Sequence, residues 1–188
     1  MSDHINYVCK KLNYTMYSIR CLKAIFNDIE PLLNVYYAYA YSAMSYNVAI
    51  WGSSSNCKRI LILQKRIIRL ILGLGRTESC RPHFINFKLL TFPAIYIYES
   101  CKFVKQNLSD FTHNRDVHGH NTRQANDLHV SKNRLTLYNK GPLGASTKLF
   151  NKLPLSVKNI DSFHIFKRNL REFLVNKCFY SISEYLSF

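Results

Sequence analysis

The sixteen residues from Cys57 to Leu72 constrain the fold more than any other part of the sequence. On a helix turning about 100° per residue, Lys58, Arg59, Lys65, Arg66 and Arg69 gather in an arc of about 120°. Ile60, Leu61, Leu63, Ile67, Ile68, Leu70, Ile71 and Leu72 fill about 200° opposite, and only Ile62 is out of place. Such a helix buries one side and leaves the other basic. Gly73 and Gly75 follow it and supply the stop.

Other helical stretches surround this one. From Asp3 to Phe26, Ile5, Val8, Leu12, Met16, Ile19 and Phe26 recur at helical steps, with Asp3 placed to cap the start. A second helix is expected from Pro31 to Trp51, ended by Gly52 and three serines. Residues 31–56 contain no charged side chain, yet Val35 to Trp51 holds five Tyr, two Ser and Asn47. That is too polar for a membrane span of about 20 apolar residues, so it reads as a Tyr-rich core helix. After a short piece at Cys80 to Phe87, Pro93 opens a further helix carrying Ile97, Cys101, Val104 and Leu108. A short helix is expected from Gly144 to Lys152, and a longer one from Asp161 or Ser162 to Asn176, apolar at Phe163, Phe166, Leu170, Phe173 and Leu174.

The sum is a mainly α chain, a bundle of about five to seven helices. A long irregular loop is expected around 109–134, rich in Asn and His, with at most a short extended segment near 135–139. Three regions follow: a bundle over 1–108, a loop over 109–141, and a C-terminal helical segment over 142–188 that packs back on the bundle.

Charge narrows the function. With 26 Lys and Arg against 11 Asp and Glu, the net charge is +15. A large partner is therefore polyanionic, nucleic acid first and an anionic membrane surface second. No acid lies between Glu30 and Glu78, so nothing near in sequence neutralises the basic helix. The solvated charged face is the ordinary fate of such residues. Cations crowded without acidic partners repel one another unless an anion spans them, which favours a phosphate-contact surface of Lys58, Arg59, Lys65, Arg66, Arg69 and Arg76. A secondary basic surface comprises Lys140, Lys148, Lys152, Lys167, Arg168 and Arg171. Tyr36, Tyr37, Tyr39 and Tyr41 fit two roles equally, base stacking or core.

Enzymatic constellations are scarce. No two acids are adjacent, and Asp28 and Glu30 at i, i+2 do not share a helix face, so no catalytic or metal residue is assigned and no cofactor is expected. His113, His118, His120 and His129 form the one metal-like group. Lacking Cys partners at zinc spacing, they read as turn-forming loop histidines. Six cysteines without a C-x-x-C pair read as reduced thiols of an intracellular protein, nuclear or cytoplasmic.

An ordered series of short motifs adds a resemblance. Leu32 to Tyr36, Tyr46 to Gly52, Leu63 to Ile71, Cys80-Arg81, Leu90 to Pro93, Asn121-Thr122-Arg123, Phe150 to Pro154 and Phe166 to Leu174 stand in this order. Together they resemble the region after the palm in reverse transcriptases of jockey-like non-LTR retrotransposons. The resemblance covers about residues 7–185. It implies a thumb and C-terminal region whose basic helix holds a template-primer duplex, RNA or RNA/DNA, by its backbone. It also implies a partner palm, in cis or in trans, since that family's RNA-directed DNA polymerase chemistry uses paired aspartates and this sequence has no Asp-Asp. The chain is thus expected to be a non-catalytic remnant, or an interaction fragment that needs the palm. Asn47 departs from the family's usual Gly, which leaves open whether the helix runs on through that turn.

Overall fold

A computed structural model describes residues 2–26, 28–118, 124–130 and 141–188 of the chain. The long first helix, α1 (Ser2–Lys23), buries Ile5, Val8, Leu12, Thr15 and Ile19 against the basic helix, here α5 (Lys58–Leu72). It stops at Lys23, short of Phe26, and Asp3 lies within its first turn rather than at the cap. Asn6 meets Arg59 near the start of α5, and Lys23 meets the carbonyls of Leu70 and Ile71 at its end. The two helices therefore run side by side in the same direction.

The stretch expected to form one helix from Pro31 to Trp51 is divided. It comprises α2 (Ile29–Val35), a π-helical segment (Tyr36–Tyr41), α3 (Ser42–Ser45) and α4 (Val48–Trp51). Tyr36, Ala40, Met44 and Val48 are all fully buried. Their steps of four overshoot the 3.6-residue α turn, and the wider π turn brings them back to one side. The tyrosines part company here: Tyr36 is buried, Tyr37 and Tyr41 half-buried, and Tyr39 exposed. Asn47 does not continue the helix. It takes a left-handed conformation at φ 47°, which Asn tolerates better than most side chains, and the chain turns there. The Trp51 indole donates to the Tyr46 carbonyl across this turn at 2.9 Å. Gly52 is required by proximity: a β-carbon there would collide with the buried Tyr96 ring and the Val48 carbonyl.

The middle of the molecule is α7 (Phe92–Gln106), buried along most of its length. Thr91 caps it, accepting from the Ala94 N–H, and its hydroxyl donates to the Phe179 carbonyl. Before it lies α6 (Arg81–Asn86), and a 3-10 turn at Leu108–Asp110 and α8 (Asn114–His118) follow. The C-terminal segment packs on α7. Both α9 (Pro142–Asn151) and α11 (Phe163–Lys177) lie on α7, linked by α10 (Leu155–Lys158), and α12 (Ile182–Ser187) ends the chain. Helices thus outnumber the five to seven expected, because short pieces around turns add to the long ones.

Within the expected irregular loop there is defined structure. His113 and Leu128 form an isolated antiparallel bridge, and the Asn151 side chain both accepts from and donates to the Leu128 backbone at 2.9 and 2.8 Å. The expected extended segment at 135–139, together with Lys140, His120 and Arg123, lies outside the described residues.

One buried amide joins these parts. Gln64, with no exposed surface, projects from α5 into the core. Its Nε2 donates to the Tyr36 hydroxyl and to the Leu90 carbonyl, each at 2.8 Å. Its Oε1 accepts from the Phe92 N–H at 2.7 Å. Burial costs such an amide several kcal/mol unless its polar atoms are paired, and here donor and acceptor ends both are. Burial also pushes the Tyr36 phenol pKa up, the Gln64 bond opposing it. Replacing Gln64 with Leu would orphan three buried polar groups. At about 1–3 kcal/mol each, partly offset by added apolar surface, the Gln64→Leu variant should lose roughly 3–5 kcal/mol in urea denaturation.

Candidate nucleic-acid interface

The apolar side of α5 decides its placement. Ile60, Leu61, Ile67, Ile68 and Ile71 are buried, each stabilising by about 1.5–3 kcal/mol. Repulsion among neighbouring surface cations amounts to only about 0.2–0.5 kcal/mol per pair. Burial therefore fixes the helix, and the cations ride on its outer side. Ile62, half exposed at 47%, sits among them as the wheel predicts.

Those cations form three groups. Along the first half of α5, Lys58 and Lys65 border a groove of about 490 Å³ whose other walls include Ser53 to Ser55, Pro93 and Tyr180 to Ser183. In the middle, the Lys65 ammonium lies 5.2 Å from the Tyr180 ring centroid, and the Arg81 guanidinium lies 4.6 Å from the same ring. At the C-terminal end, Arg66, Arg69 and Arg76 surround a shallow depression of about 410 Å³ together with Lys23.

Two of the cations at that end do structural work. Lys23 donates to the Leu70 and Ile71 carbonyls, where a helix carries its partial negative charge. Arg69 donates through Nε and Nη2 to the Glu78 main-chain carbonyl at 3.2 and 2.8 Å. Gly73, left-handed at φ 71°, closes the helix. The Glu78 carboxylate itself turns elsewhere, accepting from the Gly75 N–H and facing His83. Arg59 bonds the Asn6 amide oxygen at 3.0 Å. Lys58, Arg66 and Arg76 have no hydrogen bond or ion pair among the described residues. None of the five ion pairs there includes any of the six predicted contact residues. Among the described residues these six cations therefore have no ion-pair partner.

The secondary basic residues are placed elsewhere. Lys148 and Lys152 are exposed on and just after α9. Lys167 lies over the Phe163 ring at 5.0 Å, Arg168 is exposed, and Arg171 donates to the Lys88 carbonyl at 3.2 Å. Among the described residues none of their bonds or ring contacts reaches α5. His113 engages the Asn126 carbonyl and His129 the Asn114 amide oxygen. His120 and the side chain of His118 lie outside what is described.

Three residues at the basic face go unrecognised in the sequence reading: Lys23, Arg81 and Tyr180. The signal for the last two was Ser181-x-x-Glu184. Ser181 Oγ accepts from the Glu184 N–H at 3.0 Å while the Glu184 carboxylate accepts from the Tyr180 N–H at 2.6 Å, a reciprocal cap for α12. The same carboxylate holds Arg81 at 2.9 Å. This anchors Tyr180 beside α5. The Tyr180 hydroxyl is buried without a partner among the described residues, and burial pushes its pKa up to about 12.

Five of the six cysteines are buried and all six are free thiols, with Cys21 exposed. Burial raises the thiol pKa of Cys57 and of Cys178 to about 11, which keeps both protonated at neutral pH. Among the described residues no helix is long and apolar enough to cross a membrane.

A pH dependence follows from Glu184. Burial acts to raise its carboxyl pKa, but the Tyr180 N–H and Arg81 outweigh it, and the net shift is downward from the ordinary 4.5. A lowered folded-state pKa adds stability above the ordinary value that vanishes as pH falls through the folded one. The thermal midpoint of Glu184→Gln should lie below that of the parent at pH 7 and converge with it below pH of about 4. A constant difference down to acid pH would exclude this role.

No known protein family, curated protein or solved structure matches the chain.

Proposed function

We propose that the chain is a non-catalytic nucleic-acid-binding module that holds an RNA or RNA/DNA duplex by its phosphate backbone. The observation that carries this reading is the outer face of α5: among the described residues Lys58, Arg59, Lys65 and Arg66, with Arg76 beyond the helix, stand without a carboxylate partner. Phosphates spaced along a duplex supply the missing anions, and counterions released from the duplex drive the association. Lys65 and Arg81 stacked on Tyr180 are held in place before a ligand arrives, which lowers the entropy lost on binding. The resemblance to the thumb of jockey-like reverse transcriptases points the same way. In that setting the polymerase chemistry belongs to a palm domain, acting in cis or in trans, and this chain grips.

A second reading, an interaction fragment that needs such a palm, draws on Ile25, Phe26 and Ile29. These are 74%, 44% and 37% exposed, just after α1 and at the start of α2, an apolar edge that none of the described residues covers. Sedimentation separates the two, since a fragment lacking its neighbour self-associates and a working module stays monomeric on dilution.

Charge reversal tests the first reading. Lys58, Arg66 and Arg76 make no hydrogen bond or ion pair among the described residues, so Lys58→Glu/Arg66→Glu/Arg76→Glu should keep its helical circular dichroism. Its affinity for an RNA/DNA hybrid should fall at least a hundredfold, and the slope of log K against log salt should flatten by about 3. Undiminished binding by the triple variant would remove the reading.

A further inference from the structure

The face of α1 turned away from the core is unusual for a helix packed on a bundle. Such faces ordinarily carry charged and short polar side chains. Here Tyr7, Tyr14 and Tyr17 stand outward, each between 54% and 71% exposed. At about 100° per residue the three fall within an arc of about 80°, and Lys10 and Lys11 lie between or beside them. Lys11 rests over the Tyr7 ring with its ammonium 5.6 Å from the centroid. The acid on α1 is Asp3, in the first turn, against Lys10, Lys11, Arg20 and Lys23.

The aromatic surface continues beyond the helix. Tyr7 and Lys11 form one wall of a groove of about 230 Å³, and Tyr39 and Tyr46, 64% and 66% exposed, form the other. Exposed rings interleaved with ammonium groups that have no ion pair among the described residues match one class of ligand better than any other. Unpaired bases offer flat faces to stack, and their backbone offers an anion for each step. A protein partner would meet net positive charge with little acid to balance it. A duplex keeps its bases stacked inside and leaves the rings unused.

We propose that this face of α1 binds single-stranded nucleic acid, Tyr7, Tyr14 and Tyr17 stacking on bases and Lys10 and Lys11 meeting the backbone. The rise of about 1.5 Å per residue spreads the three rings over about 15 Å, room for about four nucleotides at ~3.4 Å each. The Arg59–Asn6 bond makes this face the neighbour of the basic face of α5. A strand leaving a duplex held on α5 therefore meets the tyrosines next. The inference rests on the proposed grip of α5 for its setting, but not for its test.

The test measures fluorescence anisotropy of an oligothymidylate of about 15 nucleotides, within the site sizes usual for such surfaces, beside a blunt RNA/DNA hybrid. The parent chain binds both. Tyr7→Ala/Tyr14→Ala/Tyr17→Ala weakens the oligothymidylate at least tenfold and the hybrid less than twofold. Tyr7→Phe/Tyr14→Phe/Tyr17→Phe keeps the rings and stays within threefold of the parent on both. The proposal is overturned if the parent ignores the oligothymidylate or if the alanine variant binds it within twofold. It is equally overturned if the alanine variant weakens both probes alike, or if the phenylalanine variant behaves like the alanine one. A parent that self-associates and an alanine variant that does not would assign the face to protein contact and also overturn it. Loss of hybrid binding alone, with the oligothymidylate still bound, counts against the α5 reading and leaves this one standing.

Discussion

The Gln64 carboxamide is the interaction on which the arrangement depends. A polar residue in the buried side of α5 is tolerable only where each end finds a partner, and the partners come from two separated stretches of chain, Tyr36 in one and Leu90 and Phe92 in the other. Satisfying one amide therefore fixes the rotation of α5 about its axis relative to the π-helical segment and to the start of α7. Apolar burial alone is not directional and would leave a helix with such a wide greasy side free to roll. Because Lys58, Lys65 and Arg66 share the helix with Gln64, the rotation that seats the amide also aims the cations outward.

The cations that result are not equivalent. Lys23 and Arg69 complete the end of α5, one on its last carbonyls and the other on the loop that follows. Lys65 and Arg81 are steadied by Tyr180, itself placed by the cap of α12. Lys58, Arg66 and Arg76 are committed to nothing within the described residues. A surface graded in this way, part structural, part pre-set and part free, suits a backbone ligand whose charges repeat along a line. The parallel course of α1 beside α5 adds an aromatic border to that surface, so one side of the bundle combines the two chemistries that nucleic acids offer, charge and ring faces.

Much of this was legible in the sequence, and the reasons divide by range. The helix at 58–72, its stop at Gly73 and its outward cations follow from a pattern only sixteen residues long, and the structure agrees with each. The opening of α7 near Pro93 and the apolar stripe of α1 are local in the same sense. Errors arose where neighbours decide. The break at Asn47 depends on Trp51 reaching Tyr46 and on Tyr96 pressing against Gly52, contacts that no periodicity encodes. The π-helical turn was visible in principle, since buried positions spaced by four exceed an α turn, but spacing of that kind also fits an ordinary helix. The role of Gln64 is not legible in the local pattern, because its partners lie 26 and 28 residues away. Arg81 and Tyr180 were missed for the same reason, being about a hundred residues apart in sequence and adjacent in the fold.

Lysine footprinting bears most directly on the claim that α5 is the face that meets phosphate. The chain would be acetylated with and without a saturating RNA/DNA hybrid, and modification at each lysine read by mass spectrometry. The account predicts protection at Lys58 and Lys65, while Lys148 and Lys152 react as they do in the free protein. Protection confined to Lys148 and Lys152, or equal at all four, would contradict it.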